Sequence, residues 1–226
     1  MIKKIRRFFH KVRVTIDLWR HSPQLKQQIE TGTQEYRKYL KIQLRRTLSK
    51  RKSPLRMRTK LLVDKLSEFV DLNKCDVLCI GPRNIVELDY IRSKGAKSVT
   101  GIDLYSEHTD IKVMDMHDMT FADNSFDVVY SSHSLEHSYD IKQVVNEIIR
   151  VARPNAHIAI EMPIQFEPQG ADLVNIENIQ ALRALFDGHI SQNLWVEEQP
   201  PHTPRNDSGA SIVRVIFALD KKVVNL

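Results

Sequence analysis

Asp76-Val77-Leu78-Cys79-Ile80-Gly81-Pro82-Arg83 is the stretch on which the fold turns. Five residues form a short apolar run, and Gly81-Pro82 stops it. That pattern reads as a buried strand with a tight turn at its end. The next stretch is helical: Asn84 suits an N-cap, residues 84–93 a helix, and Gly95 its stop. Residues 98–104 then read as a second strand with Asp103 near its end, and 111–114 as a third, with Asp115 after it. The turn residues Asp123-Asn124-Ser125 precede a fourth strand at 126–131. Residues 140–152 form a helix closed by Pro154-Asn155, and 157–161 a fifth strand. Beyond Pro163 the pattern predicts a loop to Asn175, a helix over 176–186 and strands at 194–198 and 212–219. The polar 200–209 loop between those strands is a candidate substrate lid. Strands alternating with helices imply an α/β fold: a doubly wound, mostly parallel seven-stranded sheet with helices on both faces.

Upstream the chain changes character. Residues 1–60 hold 19 Lys/Arg against 3 Asp/Glu, a balance of +16, whereas the remainder holds 15 against 25, a balance of −10. The formal charge of +6 therefore belongs to a basic arm, and the domain behind it is acidic. The division expected is a basic helical extension over 1–54 and a domain over 55–226. Within the extension, residues 25–50 read as one helix and 50–54 as a linker. Residues 55–71 make a third amphipathic helix that leads into the domain. With 226 residues and 42% hydrophobic content the chain can bury a core. It has no run of 18 apolar residues, which excludes a spanning helix. Cys75 and Cys79 are neither a disulfide framework nor a C-x-x-C site, so a reducing, cytoplasmic compartment is expected.

Ile2, Ile5, Phe8, Phe9, Val12, Ile16 and Trp19 fall at helical spacing within an arc of roughly 120°, with cations around them. This stripe fits packing on the domain. It also fits an interfacial helix on an anionic membrane surface, through residues 1–21 at the inner face, and an organellar presequence. His10 and Lys11 interrupt it too early for a secretory h-region. The cations from Arg37 to Lys52 read as a solvated face, and the acidic domain argues against nucleic acid across the site.

In an open parallel sheet, ligands sit beyond the carboxyl ends of the strands near the topological switch point. Gly81, Arg83, Asp103, Asp115 to Asp118 and Ser131 to His133 cluster at those ends. A helix N-terminus after the first strand favours anionic groups, and an acid ending the second strand suits a ribose diol. This constellation describes an adenosine-type cofactor site.

Residues 76–163 resemble class I S-adenosylmethionine-dependent methyltransferases. The likeness rests on Asp123-Asn124-Ser125-Phe126-Asp127, on Ser131-Ser132-His133-Ser134-Leu135-Glu136-His137, and on Glu147-Ile148-Ile149-Arg150-Val151-Ala152-Arg153-Pro154. The resemblance implies S-adenosyl-L-methionine as cofactor. Gly81 and its neighbours would line the methionine end, with Asp103 on the ribose hydroxyls and Leu104 beside it. Asp115, Met116 and His117 would flank the adenine, and Ser132 and His133 would lie near the sulfonium. The family's acid-x-Gly-x-Gly is here Cys79-Ile80-Gly81-Pro82-Arg83, which lacks the first acid and the second glycine. A Gly-x-Arg variant fits instead, with Arg83 toward the methionine carboxylate and Glu87 toward its ammonium. The implied reaction is methyl transfer to an oxygen or nitrogen nucleophile of a small molecule or glycan, with His133 as candidate base. The alternatives are a non-catalytic methyltransferase-like binding module and an RNA methyltransferase.

His133-Ser134-Leu135-Glu136-His137 also matches the inverted zinc-protease pattern H-x-x-E-H. It comes straight after a strand rather than lying on one helix face, so no metal is expected there. His117 between Asp115 and Asp118 reads as a loop cluster, and Trp195 and Phe186 as core.

Overall fold

The structure, a computed structural model, describes residues 27, 30–50 and 52–220, the side chain of Lys50 excepted. The stripe over residues 1–21 lies outside them. Among the described residues no helix is long and apolar enough to cross a membrane.

Two helices come first, α1 (Gln34–Lys50) and α2 (Met57–Phe69). The single helix expected over 25–50 is broken at Gly32-Thr33, because the Thr33 hydroxyl accepts from the Tyr36 N–H at 3.2 Å and starts a new helix. The alternating domain comes next: β1 (Asp76–Ile80), α3 (Ile85–Ser93), β2 (Ser98–Asp103), β3 (Ile111–Val113), β4 (Phe126–Ser132), α4 (Ile141–Val151) and β5 (Ala152–Ile164). It ends with α5 (Ile179–Ala184), β6 (Ile190–Gln199) and β7 (Ser211–Leu219). Side-chain caps set the helix starts as expected. Asn84 accepts from Val86 N, and Asp140 from Lys142 N and Gln143 N. Helix α5 is shorter than the 176–186 expected, because Asn178 caps it from Ala181 N.

The seven strands lie in the order β3-β2-β1-β4-β5-β7-β6. All neighbours are parallel except β7, which runs antiparallel to both β5 and β6. Along β1 the side chains alternate between two cores. Val77 and Cys79 join Leu62 and Leu66 of α2 and Leu88 and Ile91 of α3. Leu78 and Ile80 join Val144, Val145 and Ile148 of α4, together with Phe186 and Phe217. The sheet is therefore covered on both faces, and both cysteines are buried free thiols.

The motif residues after β4 hold this frame together. Arg150 donates to the Met119 and Phe121 carbonyls and to Glu147, while Glu147 accepts from Met119 N. These bonds tie the loop before β4 to α4. Arg153 pairs with Asp127 and Asp76, joining β5, β4 and β1 at their amino ends. The order of the strands reverses between β1 and β4, and the carboxyl ends of these two form the switch point.

Candidate active site

A cavity of about 520 Å³, counting its solvent-open part, lies at the carboxyl ends of β1, β2 and β4. Among its walls are six of the residues expected on sequence to hold the cofactor: Gly81, Arg83, Asp103, Leu104, Asp115 and Met116. His133 is there too. Glu87, His117 and Ser132 do not line it.

The turn after β1 carries the first part of the site. Gly81 has φ 69°, and a Cβ placed there would stand 2.2 Å from the Ser134 hydroxyl oxygen, so backbone is all that fits. Two residues on, Arg83 takes φ 55°. The second glycine of the expected pattern is missing, yet the backbone keeps the left-handed conformation that glycine would favour, at a cost of about 1–2 kcal/mol for a side-chain-bearing residue. Arg83 N donates to Asp103 Oδ2 at 3.2 Å, which ties the turn to the end of β2. No described carboxylate pairs with the Arg83 guanidinium, and burial works against its charge.

Asp103 is 8% exposed. Burial pushes its carboxyl up, against hydrogen bonds from Thr47 Oγ1 at 3.0 Å, Leu104 N at 2.7 Å and Arg83 N. Glu87, on the first turn of α3, is half-buried near the charges of Arg83, Arg58, Asp103 and Glu161. Burial raises its carboxyl to about 8.

Asp115 is fully buried. Burial opposes its charge, but bonds from His117 and Tyr36 outweigh that and hold the carboxyl below its usual range. His117 has a structural task. Its Nε2 accepts from Tyr139 N and Asp140 N at 3.0 and 3.2 Å, so the proton sits on Nδ1, 2.6 Å from Asp115 Oδ1. His117 thereby fastens the loop that leads into α4.

His133 follows β4 directly, with φ 52°. Its Nε2 stands 3.1 Å from Glu161 Oε1. Glu161 and Arg214 are register partners on β5 and β7, with Glu197 opposite Arg214 on β6. Arg214, with no exposure, donates to Glu161, to Glu197 at 2.6 Å and to the Arg205 carbonyl. Burial opposes the Glu161 charge, but His133, Arg214 and Arg58 hold its carboxyl below the usual range. Ser132 donates to Glu161 at 3.4 Å from the buried side of the strand, and Ser134 takes the cavity wall instead.

Besides Met114, Ser134 and His137, the residues missed on sequence come from α1. Tyr39, Gln43 and Arg46 line the cavity, Tyr36 donates to Asp115, and Thr47 donates to Asp103. The basic residues Arg37, Lys38, Lys41 and Arg45 face outward as expected. The inner stripe at 36, 39, 40, 43 and 47 is helical in spacing but built largely from Tyr, Gln and Thr, so it carries almost no hydropathy signal. A charge inside an apolar strand, Arg214 between Val213 and Val215, was the one sequence sign of the buried ion network.

Residues 78–160 match the methyltransferase domain family. A glycine/sarcosine/dimethylglycine N-methyltransferase of Actinopolyspora halophila is 31% identical over 90 residues, 40% of this chain and 15% of that protein. A chloroplastic tocopherol O-methyltransferase of Arabidopsis thaliana is 33% identical over 82 residues, 36% of this chain and 22% of that one. The matched stretch thus spans less than a quarter of either relative. Among solved structures, 1,6-didemethyltoxoflavin-N1-methyltransferase of Burkholderia thailandensis superposes with a TM-score of 0.57 at 14% identity, covering 72% of this chain and 78% of that one. The N-methyltransferase NodS of Bradyrhizobium japonicum does so with 0.54 at 11%, over 72% and 85%. The [4+2]-cyclase SpnF gives 0.54 at 16%, over 71% and 81%. These likenesses establish the fold, which hosts more than one reaction.

Proposed function

We propose that this chain, a member of the class I S-adenosylmethionine-dependent methyltransferase superfamily by its fold and by the match over residues 78–160, binds S-adenosyl-L-methionine at the β1–β2–β4 strand ends and methylates an oxygen or nitrogen nucleophile of a small molecule. The observation that carries this reading is Arg83: a guanidinium without a described carboxylate partner, on the wall of a cavity that also presents the buried acid Asp103. That pair fits an amino-acid carboxylate at one end and a sugar diol at the other. Gly81 shapes this wall, because its missing side chain makes room for the Ser134 hydroxyl beside the turn.

The cofactor supplies an already activated methyl group, so the chain's own task is alignment. Arg83 faces the carboxylate, and Glu87, which lies behind the cavity wall, is the acid that would meet the ammonium once its side chain turns toward the cavity. Asp103 accepts from the ribose hydroxyls in place of Thr47, and Asp115 and Met116 frame the base. His133, held between Glu161 and the cavity, takes a proton from a hydroxyl acceptor. Tyr39 and Gln43 of α1 complete the cavity wall.

Calorimetry with S-adenosylmethionine tests the reading. One-to-one binding is expected, and Asp103→Ala should weaken it by at least about tenfold, since charge-assisted hydrogen bonds contribute about 1.5–3 kcal/mol and one decade is about 1.4 kcal/mol. No heat at millimolar cofactor would make the domain a binding module. Unchanged affinity in the variant would put the ribose elsewhere.

A further inference from the structure

The pentapeptide His133 to His137 does not lie on one helix face, but the fold gathers its polar groups by another route. After the left-handed His133, a single 3₁₀ turn over Leu135–His137 turns Glu136 inward, where it is 1% exposed. Asp172 arrives from the loop after β5. Leu173 N and Val174 N donate to the Glu136 carbonyl at 2.8 and 3.0 Å, and Gln43 Nε2 donates to both the His137 and Ala171 carbonyls. Two segments far apart in sequence are thereby pinned side by side.

The ligating atoms of Glu136, His137 and Asp172 lie within 4.8 Å of one another. His137 Nδ1 is 2.9 Å from Asp172 Oδ1, and its Nε2 is 3.5 Å from Glu136 Oε1. Asp172 is thus paired with His137 and with Arg46, whereas Glu136 has only imidazoles beside it. Glu136 Oε2, both ring nitrogens of His137 and Asp172 Oδ1 are buried without a well-directed hydrogen bond, as are the neighbouring His133 Nε2 and Arg46 Nε, although His137 and His133 each stand within ion-pair distance of a carboxylate. Six of the ten such atoms among the described residues are therefore in this one place. Buried polar groups are otherwise almost always paired, and an uncompensated carboxylate is the costliest kind to leave. Arg46 stands 2.9 Å from Asp172, but no described Lys or Arg lies within ion-pair distance of Glu136.

We propose that Glu136, His137 and Asp172 bind a single divalent d-block cation. One imidazole with two carboxylates is a mixed nitrogen–oxygen donor set of the kind that takes zinc or manganese rather than calcium. Zinc bonds of about 2.0–2.1 Å in a tetrahedron hold donors roughly 3.3 Å apart, close to the 3.5 Å between His137 and Glu136. One ion bound through a single ring nitrogen of His137 and one oxygen of each carboxylate would neutralise the two acids and give Glu136 the cation it lacks. Because His137 also lines the cavity, it would sit in the cavity wall. This inference does not depend on methyl transfer, and its readout is metal binding alone.

The test uses the full chain, free of affinity tags, stripped with chelator and titrated with Zn²⁺ and separately with Mn²⁺ by calorimetry and thermal melting. One ion per chain is expected, with a thermal midpoint that climbs as the ion concentration exceeds Kd. Glu136→Gln and Asp172→Asn should each weaken binding at least tenfold, since loss of even an outer-shell partner costs about 10–100-fold. Asp172 lies at the edge of the cluster, so its variant keeps the test open if Glu136→Gln does not fold. Absence of stoichiometric binding of both ions to the wild-type chain overturns the proposal. So does wild-type affinity in the folded variants, which would place the ion on other histidines. In either case the cluster is a chain of imidazoles and acids linked by protons.

Discussion

Glu87→Gln separates a carboxylate that serves a ligand from one that serves the fold. Burial raises this carboxyl to about 8, so at pH 7 only about one chain in ten carries the charge in the folded state. In the unfolded chain the group titrates at its ordinary value of 4.5. Between these values the native state holds a proton that the unfolded state has released, so stability falls as pH rises through the window and levels off above about 8. Each pH unit costs about 1.4 kcal/mol, which over the whole window sets a ceiling near 5 kcal/mol. Solvent reaching the half-buried side chain trims that to a few kcal/mol. A glutamine resembles the protonated form at every pH. The variant should therefore match the wild type at pH 5 and exceed it by several degrees in thermal midpoint at pH 9. A bound ammonium would favour the charged form, so cofactor binding to the wild type at pH 7 should release close to one proton. Calorimetry in two buffers of different ionisation enthalpy counts it, and the variant should release none. Parallel midpoint-against-pH curves for the two proteins would refute the raised value. Equal proton release would refute the contact with the ammonium.

Three further outcomes rest on the same geometry. Arg83→Gly relieves a left-handed residue at the cost of a freer unfolded chain, so the apo midpoint should hold or rise while S-adenosylmethionine weakens and adenosine alone does not; equal losses for both ligands would remove the carboxylate contact. Thr47→Val deletes a hydrogen bond that competes with the ribose for Asp103, worth about 0.5–1.5 kcal/mol, so cofactor affinity should rise severalfold in calorimetry; a fall would make Thr47 a cofactor contact itself. Arg214→Met removes the buried cation shared by Glu161 and Glu197, leaving Glu161 to Arg58 and His133 and Glu197 to Arg205, and should cost about 3–5 kcal/mol in denaturant unfolding, most of it recovered by adding Glu161→Gln if the loss is the unpaired charge.

The alternating part of the fold was legible because each element carries its own local signal. β1 is bounded by its turn, α3 and α4 by Asn84 and Asp140, and the predicted strand limits agree with the observed ones within a few residues up to β4. The later elements depend on tertiary pairing. β5 extends to Ala152–Ile164 because β4 and β7 give it hydrogen-bonding partners on both sides, which no five-residue apolar window can reveal. Strand order was likewise beyond reach, since it depends on crossovers rather than on composition. Of the site, the residues at strand ends were legible from topology alone. Ser132 and His117 were not, because their side chains turn to Glu161 and to the start of α4 once the backbone is in place.

Helix α1 shows what charge counting leaves out about the extension. The +16 balance of residues 1–60 suggested an arm separate from an acidic domain. Yet the outward cations and the inward Tyr36, Tyr39, Gln43 and Thr47 belong to one helix, and the inner face meets two of the domain's buried acids directly. A solvated basic face and a hydrogen-bonding inner face are compatible because residues three and four apart share a side of the helix whatever their neighbours carry. Asp103 therefore has its Thr47 bond only while α1 is docked. A ribose that takes over Asp103 must displace that hydroxyl, while Tyr36 on Asp115 and Gln43 on the His137 and Ala171 carbonyls can keep the helix in place. Cofactor binding is thus tied to the seating of α1 through one exchangeable bond, and the Thr47→Val variant isolates that bond from the rest of the helix.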